Sequence, residues 1–301
     1  MVIRLWLLLM LLVAGHYSHA ASPAISCVAT SAASGVAPLS VFVDCSGTTD
    51  ADESYPFTDL LYSHNFGDPN SGVWSYGSSS NLSRNAAYGP VAAHLYTDVG
   101  SYTITSTVCD RTNLCARQTN AVTVVSADTT FSTNTACVFN TTLGTGCSGT
   151  SIQSSDFDAA IATAVGANGC GTGVTCKRIL FKRGDTFAAD TATTIVSAGP
   201  GLIGAYGTAS GENRPVVNFT GANTVSLLAM SADDWRVMDM VFNGGRSAGG
   251  GTATMFGPAG STYSTIKGLW VYDGFKMVSA ATPSGTIMSN LFIVDNVFER
   301  E

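Results

Sequence analysis

The residues that could take part in a reaction are carboxylates and basic side chains in the second half of the chain. They are Asp233, Asp234, Asp239, Asp273 and Asp295, with Arg236, Arg246, Lys267 and Lys276. Carboxylates can hold calcium while an arginine or lysine takes a proton, which is the chemistry of a calcium-assisted β-elimination on a uronate polymer. Asp273 and Lys276 follow a predicted strand and could line a groove, so they are the candidate catalytic residues.

Histidine and thiol catalysis are disfavoured in this half. Once a predicted leader is removed, only His64 and His94 remain, and both lie in the first half. The eight cysteines are expected to pair with their neighbours, although eight cysteines allow about 105 connectivities. The expected disulfides are Cys27–Cys45, Cys109–Cys115, Cys137–Cys147 and Cys170–Cys176. A zinc site is the alternative, but the chain contains no Cys-x-x-Cys.

Residues 1–20 have the pattern of a signal peptide. Arg4 precedes an apolar run at 5–14, and small residues stand at Ser18 and Ala20, which predicts cleavage after Ala20. The run is too short to cross a bilayer, which needs about 20 residues. We therefore expect a secreted or cell-surface protein without a membrane span, in an environment where disulfides persist.

The composition predicts an all-β protein with two domains. The chain has 301 residues, of which 12% are charged and 32 are glycine, and this suits many short strands and turns. The net charge of −7 disfavours nucleic acid as a partner, because phosphate binding needs a clustered basic surface. An anionic membrane surface is disfavoured for the same reason.

Two sequence segments define the first predicted domain, residues 21–127. They are Tyr62–Asp68 and His94–Asp110. In the second segment Ile104 and Val108 alternate with threonines, which predicts a strand buried on one side.

Four short motifs in this domain occur in the order found in PKD-type modules. They are Gly35-Val-Ala-Pro-Leu39, Asn65-Phe-Gly-Asp68, His94-Leu-Tyr96 and Gly100-Ser-Tyr-Thr-Ile104. The domain therefore resembles a PKD or Ig-like β-sandwich, although His64-Asn65 and Pro69 depart from the usual Trp-Asp and Gly. The resemblance implies a non-catalytic spacer or binding element of an extracellular protein.

Two sets of residues in this domain are candidate ligand sites. Asp50 and Asp52 stand at alternate positions of a loop that holds calcium in some PKD modules, and calcium is the one candidate cofactor. The alternative is a turn whose carboxylates accept bonds from local backbone. Trp74, Tyr76 and Tyr88 could form a sugar-stacking platform, or they could cover an exposed core.

The second predicted domain, residues 136–301, follows a linker at 128–135. Residues 154–165 have the caps and apolar face of a helix, and an apolar strand at 177–185 follows. Three segments then share one pattern at offsets of 29 and 27 residues: Val237–Phe242, Ile266–Val271 and Ile293–Phe298.

This second domain resembles the N-terminal cap and first coils of a pectate-lyase-like, right-handed parallel β-helix; a second β-sandwich is the competing fold. In the repeat, Asp239 and Asp295 are equivalent and Gly268 stands between them. This pattern indicates a turn, and two coils would separate the carboxylates by about 9–10 Å. The last repeat ends at Glu301 without a cap, so further coils are expected.

Three functions remain open at this stage. The preferred one is a non-catalytic protein that binds or presents to an extracellular polysaccharide. The second is a polysaccharide lyase or glycoside hydrolase whose catalytic coils lie partly beyond residue 301, and the third is a structural surface or appendage protein. The first is preferred because no acid, base and metal set can be assembled on adjacent coils.

Overall fold

The computed structural model describes residues 20–29, 34–74, 81–210, 213–221, 226–245, 254–258, 262–272 and 289–299. Five residues named above, Tyr76, Arg246, Asp273, Lys276 and Glu301, lie outside the described residues, as does the predicted leader up to residue 19. The described chain is all-β, with large parallel sheets and a few short helices, as predicted.

The described residues form two compact units. The first takes its residues from Met1–Ala29, Val43–His94 and Tyr102–Val122, and the second from Thr30–Phe42, Leu95–Ser101 and Thr123–Glu301. The domain boundaries expected at 127 and 135 stay a prediction.

The strands of the first 125 residues form two sheets. They are β1 (Val28–Ala29), β2 (Ser34–Val36), β3 (Leu39–Asp44), β4 (Leu61–Asn65), β5 (Ala86–Tyr88), β6 (Val91–Tyr96), β7 (Gly100–Cys109) and β8 (Cys115–Val125). One sheet has the order β1-β3-β6 and the other the order β2-β8-β7-β4-β5. A short helix, α1 (Pro56–Asp59), precedes β4.

Strand β7 shows the predicted alternation. Ile104, Ser106 and Val108 are buried, whereas the threonines between them are at least partly exposed. Because side chains of a strand point to opposite faces in turn, one face of β7 packs on the core and the other meets solvent. The Cys109–Cys115 disulfide closes the base of the β7–β8 hairpin, as expected.

The remaining elements follow residue 126. The helices are α2 (Ala127–Phe131) and α3 (Phe157–Val165). The strands are β9 (Thr135–Phe139), β10 (Thr150–Gln153), β11 (Arg178–Lys182), β12 (Thr186–Ala189), β13 (Thr193–Ile195), β14 (Gly201–Tyr206), β15 (Val216–Phe219), β16 (Ser226–Met230), β17 (Trp235–Met238), β18 (Val241–Asn243), β19 (Thr254–Pro258), β20 (Thr265–Lys267), β21 (Trp270–Tyr272), β22 (Phe292–Val294) and β23 (Val297–Glu299).

These strands form three parallel sheets. Sheet A has the order β10-β9-β11-β14-β17-β20-β22, sheet B the order β12-β15-β18-β21-β23, and sheet C the order β13-β16-β19. From β11 to β20 the chain passes from A to B to C and then returns to A, so each turn of the chain in this range forms a coil that stacks on the one before. Val237, Ile266 and Ile293 are in register in sheet A, which confirms the predicted repeat.

Helix α3 begins at Phe157, close to the predicted position. Its N-cap is Asp156, whose Oδ1 accepts a hydrogen bond of 2.7 Å from the backbone of Ala159. The apolar face of the helix, including Phe157 and Ile161, is fully buried in the core of the second unit. The Phe157 ring stacks on Phe181 at a centroid distance of 5.0 Å, so the helix is fixed to the first coil.

In the second unit, part of the outer face of sheet A is covered by residues 36–40. Arg236 on β17 donates to the carbonyl oxygen of Pro38 at 2.9 Å and to that of Val36 at 3.1 Å. One coil further on, Thr265 donates to the Ser40 hydroxyl at 3.0 Å. Arg236 is therefore only 2% exposed, although its side chain points away from the core of the coils.

Candidate functional site

A polar groove runs across the strands β8, β7, β4 and β5 of the first unit. It encloses about 560 Å³, and every lining residue belongs to that unit. Its floor is built by strand alternation, because the residues that face away from the core stand side by side on neighbouring strands. The groove brings a candidate residue of the sequence analysis, Tyr88, together with polar side chains of a sheet.

Hydroxyl and amide groups line the middle of the groove. Thr103, Thr105 and Thr107 stand along β7. On β4, Ser63 lies opposite Thr107 and Asn65 lies opposite Thr105. Hydroxyl groups both donate and accept hydrogen bonds, so this surface can bond to a ligand that is itself rich in hydroxyl groups.

One of the three predicted aromatic residues lies in the groove. Tyr88 on β5 stands opposite Ser63 and is 82% exposed. Trp74 is not part of the lining, and the guanidinium of Arg84 lies 4.5 Å from its ring centroid. The structure thus places Tyr88 but not Trp74 in the groove, although the sequence analysis grouped them in one platform.

His64 also belongs to the lining, and its side chain is buried beneath β4. Its Nε2 lies 2.9 Å from the carbonyl oxygen of Gly89, and its Nδ1 lies 2.9 Å from the Ser106 hydroxyl. Because the carbonyl can only accept, Nε2 must donate, so in the neutral ring the Ser106 hydroxyl donates to Nδ1. Burial lowers the pKa of His64, opposed in part by the Gly89 carbonyl, so the ring is neutral at pH 7.

The turn after β4 also lines the groove, and its backbone conformation requires the glycine at position 67. Gly67 has a φ of +70°, and a Cβ there would lie 2.6 Å from the carbonyl oxygen of Thr103. Its N–H donates to Asn65 Oδ1 at 2.8 Å. The following Asp68 is buried and bonds to His94 at 3.0 Å, which ties the turn to β6.

Arg117 on β8 is the one charged side chain of the lining at neutral pH, and sequence reasoning did not single it out. It is exposed, and among the residues that the structure describes it has no ion-pair or hydrogen-bond partner. The sequence feature that could have indicated Arg117 is an arginine on the exposed side of a predicted strand, two residues after Cys115.

The predicted calcium residues form a turn. Asp50 Oδ1 accepts from the backbone of Asp52 at 2.8 Å, and Asp52 Oδ2 accepts from the backbone of Ala21 at 2.5 Å. The second oxygen of Asp50 is buried without a partner. The described ranges contain no group of three metal-ligating side chains, and the geometry supports the turn role. Calcium binding at this loop stays a prediction.

The repeated carboxylates of the second unit also occupy turns. Asp239, Gly268 and Asp295 have φ values of 63°, 62° and 53° at equivalent positions of successive coils, as the repeat predicted. Asp239 also forms ion pairs with Arg183 and Arg214. Burial lowers the pKa of Arg183, and the positive charge of Arg214 adds to this effect.

Arg236 is wrongly placed for the role of a proton acceptor. It is buried, it donates to the backbone carbonyl groups of Val36, Pro38 and Asp234, and it pairs with the Asp234 carboxylate at 2.8 Å. Burial raises the pKa of Asp234, and the charge of Arg236 opposes that rise. The Arg236 guanidinium therefore stabilises the packing on sheet A and is itself buried away from solvent.

A second recess of about 520 Å³ lies beside α3 and contains Asp156, Asp158 and Asp190. Both carboxylate oxygens of Asp158 are used by the chain itself. Oδ2 accepts from the backbone of Asp190 and Thr191 at 2.9 Å each, and Oδ1 accepts from the Thr193 hydroxyl at 2.8 Å. Asp158 thus joins α3 to the first coil, and its carboxylate is occupied by these bonds.

All four expected disulfides form, which indicates an oxidising, extracellular environment. Across the described ranges, every helix is too short or too polar to cross a membrane. Comparison of the chain with models of known protein families gives no match, and comparison with curated proteins gives none either.

Proposed function

We propose that this protein is a secreted or cell-surface, non-catalytic protein that binds an extracellular polysaccharide through the groove of its first unit. The observation that carries the proposal is the exposed ring of Tyr88 beside a row of threonine, serine and asparagine side chains. The apolar face of a sugar ring can cover an aromatic ring, while its hydroxyl groups bond to the polar row.

The architecture of the groove implies weak binding. A shallow recess that buries about 100 Å² of apolar surface gains about 2.5 kcal/mol, and the polar row adds about 1 kcal/mol per hydrogen bond. Part of this is lost in ordering the ligand. We therefore expect a dissociation constant of about 0.1 to 1 mM for a short oligosaccharide.

Two further observations support a binding role over catalysis. The sequence of residues 21–127 resembles PKD-type modules, which are generally spacers or binding elements. In the second unit, Asp239 and Asp295 occupy turns two coils apart, with Gly268 between them. Among the described residues they do not form an acid–base pair on adjacent coils.

The test is affinity electrophoresis of the chain from Ala21 to Glu301 through gels that contain a polysaccharide. We expect retardation by at least one polysaccharide, and loss of that retardation in Tyr88→Ala. Tyr55→Ala is the matched control, because Tyr55 belongs to the same unit, is 72% exposed and does not line the groove. Equal retardation of Tyr88→Ala and the unaltered chain would refute the assignment to this groove.

A further inference from the structure

We propose that the groove selects acidic saccharides, and that Arg117 binds their carboxylate or sulfate group. This inference rests on the proposed function and adds the chemical class of the ligand. The lining contains one guanidinium and no carboxylate. The whole chain carries 21 acidic and only 14 basic residues, so a carboxylate-free recess with an arginine departs from the average charge of the protein.

The other basic side chains of the first unit are already engaged. In its described residues these are Arg84 and Arg111. Arg84 lies over the Trp74 ring and donates to the Val73 carbonyl at 3.3 Å. Arg111 donates to Asp59 at 2.6 Å and lies 3.7 Å from Glu53. The guanidinium of Arg117, by contrast, has no partner among the described residues.

The chemistry of arginine fits an acid group on a sugar. Its planar fork offers paired N–H groups that match the two oxygens of a carboxylate or of a sulfate. The other basic side chain of the lining, His64, is buried and bonded to Ser106 and Gly89, and burial lowers its pKa, so it does not compete for an anion. The groove therefore presents one positive charge within a neutral polar surface.

The order of the strands predicts the length of the ligand. Arg117 is on β8 and Tyr88 is on β5, with β7 and β4 between them. At about 4.8 Å per strand, the two strands lie about 14 Å apart. The stacked ring and the charged group must then belong to different sugar units, so an oligosaccharide is required and a single uronic acid is too short.

The experiment compares dissociation constants at low ionic strength for four probes. These are a neutral gluco-oligosaccharide, an oligogalacturonate of the same length, a sulfated oligosaccharide of similar length, and galacturonic acid alone. We expect one or both acidic oligosaccharides to bind about tenfold more tightly than the neutral one, and the monosaccharide not to bind measurably. Preference for the carboxylate or for the sulfate identifies the acid group.

Two variants test the role of Arg117. We expect Arg117→Gln to bind the acidic and neutral oligosaccharides equally, and Arg117→Lys to keep part of the preference because it retains the charge without the fork. Arg111→Gln is the control, since Arg111 belongs to the same unit but lies outside the lining. The preference should also shrink in 0.5 M salt, because exposed charges are screened.

The outcomes separate this inference from the proposed function. If the unaltered chain binds neutral and acidic oligosaccharides equally and Tyr88→Ala abolishes both, the glycan function stands and the role of Arg117 is refuted. If Arg117→Gln keeps the acidic preference, the inference is refuted as well. If no saccharide binds at all, both proposals fail.

Discussion

Asp239 and Gly268 adopt the same backbone conformation on successive coils, with φ values of 63° and 62°. Each donates its N–H to the coil that follows, Asp239 to Lys267 at 3.1 Å and Gly268 to Val294 at 3.2 Å. Successive coils therefore repeat the backbone conformation of the turn between sheets A and B, although the residue type differs. Aspartate and glycine both tolerate this left-handed region better than most residues do.

Gly268→Ala should lower the free energy of unfolding by about 1 kcal/mol, because alanine resists a positive φ. The nearest atom to an added Cβ is the backbone nitrogen of Asp239 at 3.9 Å, so steric overlap does not contribute. Gly268→Asn is the control and should cost less, since asparagine tolerates this conformation. Urea denaturation measures both, and equal losses would contradict a conformational origin.

Arg236→Gln should destabilise the protein by about 3–5 kcal/mol, because the carbonyl groups of Val36 and Pro38 and the carboxylate of Asp234 lose a buried charged partner. Lys267→Gln, in the next coil and only partly buried, should change the stability by less than about 0.5 kcal/mol. Urea denaturation compares the two variants. A loss in Arg236→Gln no larger than in Lys267→Gln would show that this packing contributes little.

The stability of the protein should fall as the pH drops below about 6.5. Burial lowers the pKa of His64 and of His94, although Asp68 opposes this effect at His94. Below pH 6.5 the unfolded chain therefore binds protons that the folded protein does not. Each such proton lowers the free energy of unfolding by up to about 1.4 kcal/mol for every unit by which the pH falls.

Thermal denaturation between pH 7 and pH 5 measures this dependence. His64→Gln keeps a donor for the Gly89 carbonyl and removes one titrating group, so its stability should depend less steeply on pH. A variant with an unchanged slope would exclude His64 as a contributor.

The two disulfides of the first unit should contribute unequally. Cys27–Cys45 spans 18 residues and Cys109–Cys115 spans 6. Because the longer loop loses more entropy in the unfolded chain, the first disulfide should add about 1 kcal/mol more to the free energy of unfolding than the second. Paired alanine variants test this difference by denaturation. The unaltered protein should show no reactive thiol after denaturation without a reductant, and a single reactive cysteine would contradict the pairing.

The chain from residue 21 to 301 should release no unsaturated or reducing ends from acidic or neutral glycans, with or without calcium. The physical reason is that Asp239 and Asp295 occupy turns about 9–10 Å apart, too far to share a metal directly. Calcium-dependent release that is abolished by Asp273→Ala would establish a lyase instead. Release that persists in this variant would indicate catalysis elsewhere.

Local patterns in the sequence predicted much of the fold. Val237, Ile266 and Ile293 recur at coil length because they hold the same register position on successive strands of sheet A. Val237 and Ile266 are fully buried there, whereas Ile293 on the edge strand β22 is 43% exposed. The alternation in β7 and the helix near residue 157 follow from local periodicity in the same way. The disulfides join cysteines that are close in sequence, so proximity was a sufficient guide.

The site was less predictable, because its residues meet only through strand pairing. Arg117, Thr105 and Tyr88 belong to three strands, and no short motif contains them. Arg236 looked available for catalysis because nothing near it in sequence indicates that Val36 and Pro38 bury it. Contacts over such separations depend on tertiary packing and leave no local pattern.

The bond between Arg236 and Pro38 joins residues that are 198 positions apart. At a synthesis rate of about 5–20 residues per second, Pro38 leaves the ribosome about 10–40 s before Arg236 does. During that interval the carbonyl groups of Val36 and Pro38 lack the guanidinium that they bond in the finished protein. Although β2 already pairs with β8 and β3 with β1 and β6, these pairings do not supply that partner. Proteases should therefore cleave residues 36–40 more readily in a chain whose synthesis stops before Arg236 than in the finished protein.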